Sequence, residues 1–162
     1  MPALLAPPPI HAPAICCQTS SLAPKVEAAV LAALAECHKK GLDARIYETI
    51  RSPELQEYYF AKGRTIESEE GIVTKVKDVM YGWHFYGIAI DVISAKNEWR
   101  VTAVWRKKVT AIFLKHGFRW GGEFGDTPHY WWGKAAKGPS DKARLLYKDG
   151  GLRAVWVAVG AV

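Results

Sequence analysis

The chain has 162 residues, enough for one compact domain with a core, since about half of it (49%) is hydrophobic. Its formal net charge of +6 and pI near 9.2 favour polyanionic surroundings such as nucleic acid, acidic headgroups or bacterial envelope polymers. Lys and Arg are scattered rather than massed in a stripe, which argues against a nucleic-acid reader, and no run approaches the ~18–20 apolar residues that span a bilayer.

In chain order, residues 1–22 form a Pro-rich, irregular segment ahead of a domain over 23–162. Prolines at 2, 7, 8, 9 and 13 interrupt its apolar run and no basic start precedes it, a poor secretory signal. Cys16, Cys17 and Cys37 have no disulfide spacing and read as free thiols of a reducing compartment. A first helix is expected over 24–40, with Pro24 in its first turn, Gly41 as its stop, and Val26, Ala29, Val30, Ala33, Leu34 and Cys37 as its buried stripe. "ARIYETI" (44–50) alternates as a strand. Ser52 and Pro53 then open a short helix that Gly63 closes. Residues 64–82 read as a long loop and "YGIAIDVI" (86–93) as a strand. A helix over 99–115 should turn Val101, Val104, Trp105, Ile112 and Phe113 inward. "FRWGG", "HYWW" and "AVWVAV" complete a set of short strands, the last of them closing the domain after a solvated cationic loop. The mixture lacks a βαβ rhythm, so the expected class is α+β, a small, mainly antiparallel sheet flanked by helices.

One histidine and one aspartate stand seven apart in "YGWHFYGIAIDV" (81–92). A straight strand would part His84 and Asp91 by ~23 Å, and a helix by ~10 Å along its axis. They can share a metal only if the chain bends between them, and Gly87 is the bending point. A third ligand must come from His11, His38, His116, His129 or a carboxylate. His38 and His116 sit near helix C-termini, where histidines commonly serve the dipole. His129 lies in "GGEFGDTPHYWW", with Asp126 three residues ahead, where a carboxylate can take a proton from an attacking water. On spacing alone, His84 and His129 as packing histidines and Asp91 as a cap or ion-pair partner remain the alternative.

"TIRSPELQ" (49–56), "GRT" (63–65), "GIVT" (71–74), "HFYGIAIDV" (84–92) and "WGGEFGDTPHY" (120–130) occur in that order. Together, over about residues 25–132, they resemble the M15 family of zinc D-alanyl-D-alanine-type peptidases, in particular its phage-endolysin branch of L-alanyl-D-glutamate peptidases. The resemblance implies a single hedgehog/D,D-peptidase-like domain with Zn²⁺ held by His84, Asp91 and His129. It makes Asp126 the general base and later acid, and sets Arg51 against the scissile carbonyl. Glu123 is an alternative base. Trp83 and Tyr86 either line the groove or pack, and Gln56 and Arg64 fit as scaffold residues. Three positions depart from the family pattern: Gly82 stands where serine is usual, Phe85 where asparagine is frequent, and "YWW" follows the second histidine in place of an aromatic and a glutamate.

The function this implies is a monomeric zinc endolysin that cuts the L-Ala–D-Glu bond of peptidoglycan stem peptides, with no nucleic-acid partner and no transmembrane segment. It would be made in the host cytoplasm without a signal peptide and reach the wall after holin-type release. The same scaffold also serves D,D-carboxypeptidases and dipeptidases acting on D-Ala–D-Ala ends. A non-catalytic zinc module that binds wall peptides is a third reading, which Asp126 argues against, because a binder needs no base beside its metal.

Overall fold

A computed structural model describes residues 11–162; the first half of the Pro-rich segment lies outside the described residues. Among them are four α-helices, α1 (Pro24–Lys39), α2 (Pro53–Ala61), α3 (Ala103–Lys115) and α4 (Asp141–Ala158). Four strands, β1 (Ala44–Glu48), β2 (Ala89–Ser94), β3 (Phe118–Trp120) and β4 (His129–Trp132), make one antiparallel sheet in the order β1-β2-β4-β3. The α+β class is as expected from the sequence. No described helix is long and apolar enough to cross a membrane.

Local chemistry explains most boundaries. Pro24 starts α1, Ser52 and Thr102 cap α2 and α3 through their hydroxyls, and Gly41, Gly63 and Gly117 take left-handed φ values just past helix ends. Every residue of β2 is buried, because β1 and β4 flank it and helices cover it. Val26, Val30, Ala33 and Cys37 of α1 pack with Val109, Ile112 and Phe113 of α3 and with the sheet in one core. Residues 16–22 lie across the domain: Thr49 donates its N–H to the Cys16 carbonyl (2.7 Å), and Leu22 and Ala23 are buried.

Three expectations need correction. The strand at 86–93 begins only at Ala89, because Trp83–Tyr86 form a 3-10 turn. Helix α3 starts at Ala103 rather than 99; Ile112 and Phe113 are buried and Trp105 packs on the core as expected, but Val104 is exposed, while Arg106 is buried because its Nη1 donates to the Val92 carbonyl (2.9 Å). "AVWVAV" is no strand. It lies in α4, whose two halves meet at a non-helical Gly151 (φ 67°). Val155 faces the core and Val157 faces solvent. Trp156 of α4 donates its indole N–H to the Tyr86 carbonyl (2.7 Å), so the C-terminal helix braces the turn before β2.

Gly87 ends that turn in the left-handed region (φ 67°), and a Cβ there would lie 2.9 Å from the Ser21 carbonyl oxygen. The Gly87→Ala variant should therefore lose about 1–2 kcal/mol from backbone strain alone, and more from the clash. A thermal melt within a degree of wild type would contradict this.

Candidate metal centre

His84 rides on the 3-10 turn, Asp91 on β2 and His129 at the start of β4, where Asp91 and His129 are cross-strand partners. The αL residue Gly87 turns the chain between the first two. His84 Nε2 lies 3.1 Å from His129 Nδ1, and Asp91 Oδ1 lies 3.4 Å from each of those nitrogens. For metal bonds of ~2.0–2.1 Å in tetrahedral array, neighbouring ligand atoms should be about 3.3 Å apart. The three atoms thus form one face of such an array, and the donor set of two imidazoles and a carboxylate suits zinc. His38 and His116 stand elsewhere, bonded to the Ala44 carbonyl and to Glu36 (both 2.8 Å).

The three candidate ligands are held from behind. His84 Nδ1–H donates to the Thr49 carbonyl (2.8 Å), which leaves the Nε2 lone pair for the metal. The Arg51 N–H donates to the His84 carbonyl (3.1 Å), so the segment after β1 grips this residue at both ring and backbone. Burial alone would raise the Asp91 carboxyl, but the two imidazoles hold it well below the ordinary carboxylate range, so it is ionised.

Asp126 is not among the ligands. It stands at the mouth of the cleft, exposed as a residue, and its backbone is fixed by Asp126 N–H to Gly121 O (3.0 Å) and His129 N–H to Asp126 O (3.3 Å). Crowding by protein and the nearby Asp91 charge push its carboxyl above the usual range against the pull of His129, a direction that suits proton transfer near neutral pH. Gly121 permits this arrangement, since a Cβ there would meet Asp126 O at 2.6 Å and His129 Cβ at 3.1 Å. Glu123 is an exposed turn residue outside the cleft of the triad.

Arg51 lines the cleft with the triad and Asp126, but its fork is engaged. Nε and Nη2 donate to the two oxygens of Glu48 (2.6 and 2.8 Å), Nη1 donates to Gln56 (3.0 Å), and Nη2 is 3.8 Å from Asp91 Oδ2. Glu48 is only 1% exposed, and sequence reasoning missed it. A bulge between Ile46 and Glu48 slips the register so that Glu48 faces Asp91, and Glu48, Asp91 and His129 make one rung across three strands. The signal was present in "ETIR", a carboxylate three residues before the arginine, but it reads equally as a surface charge.

The comparisons with known proteins bear on this geometry. The M15 family model described as D-alanyl-D-alanine carboxypeptidase matches residues 77–132, the stretch that holds His84, Asp91, Asp126 and His129. The family match is confined to this segment, about a third of the chain. The fold has matching solved structures. The Serratia marcescens L-Ala D-Glu endopeptidase ChiX is 17% identical with a TM-score of 0.52, over 70% of this chain and 82% of that one. A variant of the vancomycin-resistance D,D-pentapeptidase VanY in complex with Zn(II) is 14% identical with a TM-score of 0.52, over 81% of each chain. At such identities the likeness is one of fold.

Within the matched segment the three departures have structural accounts. A Cβ at Gly82 would meet nothing nearer than Val79 O at 3.8 Å, so the serine position is simply open cleft wall. Phe85 packs edge-on against Tyr147 of α4 (centroids 4.8 Å apart). Tyr130 is buried and shares a hydrogen bond with Thr110 (2.7 Å), while Trp131 stacks on His129 (5.9 Å). Tyr86 is a packing residue, fully buried with its hydroxyl on the Met80 carbonyl, whereas Trp83 does border the cleft. Gln56 joins Arg51 to the Val76 carbonyl, and Arg64 ties Phe60 O to Thr74 O, so both act as scaffold for the 64–78 loop.

Proposed function

We propose that this chain is a zinc-dependent endopeptidase that cuts the L-Ala–D-Glu bond of peptidoglycan stem peptides. The observation that carries the reading is the shape of the cleft. One crevice of about 240 Å³ runs from the triad past Trp83 and Phe124 to Lys137. A second, of about 370 Å³, runs the other way past Tyr47, Tyr59 and Trp99. Arg51, Asp91 and Asp126 line both, while His84 and His129 line the first, so the two crevices adjoin at Asp91 and leave room on either side of the proposed metal site. An enzyme that cuts within a chain needs room on both sides of the bond; one that trims an end does not.

His84, Asp91 and His129 would hold the zinc, which when bound would supply a Lewis acid for the scissile carbonyl and for the attacking water. Asp126 takes the proton from the attacking water. The water oxygen adds to the L-Ala carbonyl carbon, and Arg51 and its neighbours face the negative charge that develops on the carbonyl oxygen. Asp126 then returns the proton to the leaving nitrogen as the C–N bond breaks, leaving an L-Ala carboxylate and a new D-Glu amino terminus. The net positive charge suits work at an anionic envelope. The resemblance to phage endolysins supports synthesis in the host cytoplasm and release through a holin.

One observation favours a D,D-carboxypeptidase. Lys137 in the first crevice has no carboxylate partner among the described residues; its Nζ lies 4.3 Å from the Phe124 ring centroid, where it can meet a terminal carboxylate. Mass spectrometry of digested peptidoglycan, with and without a zinc chelator, separates the two. The endopeptidase yields chelator-sensitive fragments with D-Glu amino termini. Released D-Ala without such termini would overturn the proposal in favour of the carboxypeptidase.

A further inference from the structure

The second crevice does not stop at Trp99. That indole also lines a groove of about 750 Å³, walled by Val101, Leu114, Trp120 and Thr127, with Arg106 and Lys107 among its polar lining. Thr127 follows Asp126 in the chain, so the groove opens beside the proposed base. Trp99 thus borders both the second crevice and this groove, whose far wall carries a second indole.

Trp99 is 48% exposed, yet it is held firmly. Its ring meets Tyr47 edge-on with centroids 4.5 Å apart. The preceding residue, Glu98, has φ 51°, the sole non-glycine with positive φ among the described residues. Such a conformation persists where its surroundings impose it. Here Ser94 and Glu98 exchange backbone bonds (3.1 and 3.0 Å), and the Asp43 carboxylate accepts from Ser94 Oγ (2.6 Å) and the Lys96 N–H (2.9 Å). Trp120 is locked as well, its indole N–H on the Thr127 carbonyl (2.8 Å). The buried Arg106 has a partner for Nη1 but none for Nε.

We propose that this arm is the glycan side of the cleft, with Trp99 stacking the N-acetyl sugar that carries the stem peptide and the groove beyond it taking the next part of the sugar chain. The inference rests on the endopeptidase reading above. In that substrate the L-Ala nitrogen is joined through a lactyl group to a sugar ring, one residue from the scissile bond, whereas the D-Glu side carries carboxylates. A pyranose offers an apolar C–H face to an indole and polar groups at its rim, and its acetyl methyl suits aliphatic walls. Charge orients the substrate the same way. Next to the triad, the cations of the second crevice are paired, Arg51 with Glu48 and Lys62 with Glu70 (3.0 Å), whereas Lys137 in the first has no carboxylate partner among the described residues.

The test uses the zinc-loaded full chain and two substrates: a stem peptide still attached to its disaccharide, and the same peptide free. The kcat/KM ratio of linked to free substrate is expected to be about tenfold in the wild type, the scale of one good aromatic contact. It should fall towards one in Trp99→Ala and largely survive in Trp99→Phe. A wild-type ratio near one, or a ratio unchanged in Trp99→Ala because both rates fall in parallel, overturns the glycan side alone. Failure to release D-Glu amino termini from either substrate overturns the endopeptidase reading and this inference with it.

Discussion

Asp126→Ala is expected to retain its metal and lose about 10²–10⁴-fold in peptidoglycan cleavage, the usual worth of a positioned acid–base group. The three groups that converge within ligand range are His84, Asp91 and His129, and the Asp126 side chain is not needed to complete them. Its hold on the fold is through backbone, to Gly121 and His129, which alanine preserves. Truncating an exposed carboxylate should cost within about 0.5 kcal/mol of stability. Metal content per chain and the rate of release of D-Glu amino termini, measured on the same preparation, therefore separate. Asp126→Asn sharpens the comparison, since the amide keeps the size and loses the basicity. Two outcomes would remove Asp126 from the mechanism: wall clearance at the wild-type rate, or loss of metal in step with activity.

The caps and stops of the helices were legible because they are local chemistry. Ser52, Pro53, Pro24 and Gly41 do what their neighbours in sequence require. The convergence of His84, Asp91 and His129 was legible for another reason. Its spacing excludes a straight strand or helix, Gly87 supplies the bend, and the motif order names the distal histidine. What stayed hidden depends on register and packing. The bulge before Glu48 leaves no mark in an alternating strand, yet it decides which residue faces Asp91. Arg106 goes inward because a carbonyl of β2 is there to receive it. The run "AVWVAV" is helical because α4 has a core to lie on and Trp156 has the Tyr86 carbonyl to bond; the residues alone carry strand propensity. The room on either side of the site is a property of the 64–78 loop and the turn at Glu98, which are far apart in the chain.

Glu48→Ala is expected to cost about 3–5 kcal/mol, because it strands a largely buried guanidinium, its side chain 16% exposed, that now shares two hydrogen bonds with that carboxylate. For a domain of this size that is a fall in Tm of roughly 6–20 °C. The consequence for the site follows from the same distances. Arg51 Nη2 is 3.8 Å from Asp91 Oδ2, and Glu48 is the anion that holds it back. Released from Glu48, the guanidinium should close on Asp91 and compete with the metal for the carboxylate. Zinc affinity, measured by competition with a chromophoric chelator, should drop about 10–100-fold, as for loss of other groups that orient ligands. Glu48→Gln, which keeps one acceptor and no charge, should fall between. The double variant Glu48→Ala with Arg51→Ala removes both the stranded cation and the competitor, so it should regain much of the stability and most of the affinity while remaining poorly active. If the double variant is no more stable than Glu48→Ala and binds zinc no better, the pair is not coupled as the geometry requires, and Glu48 is a packing residue with no hold on the metal site.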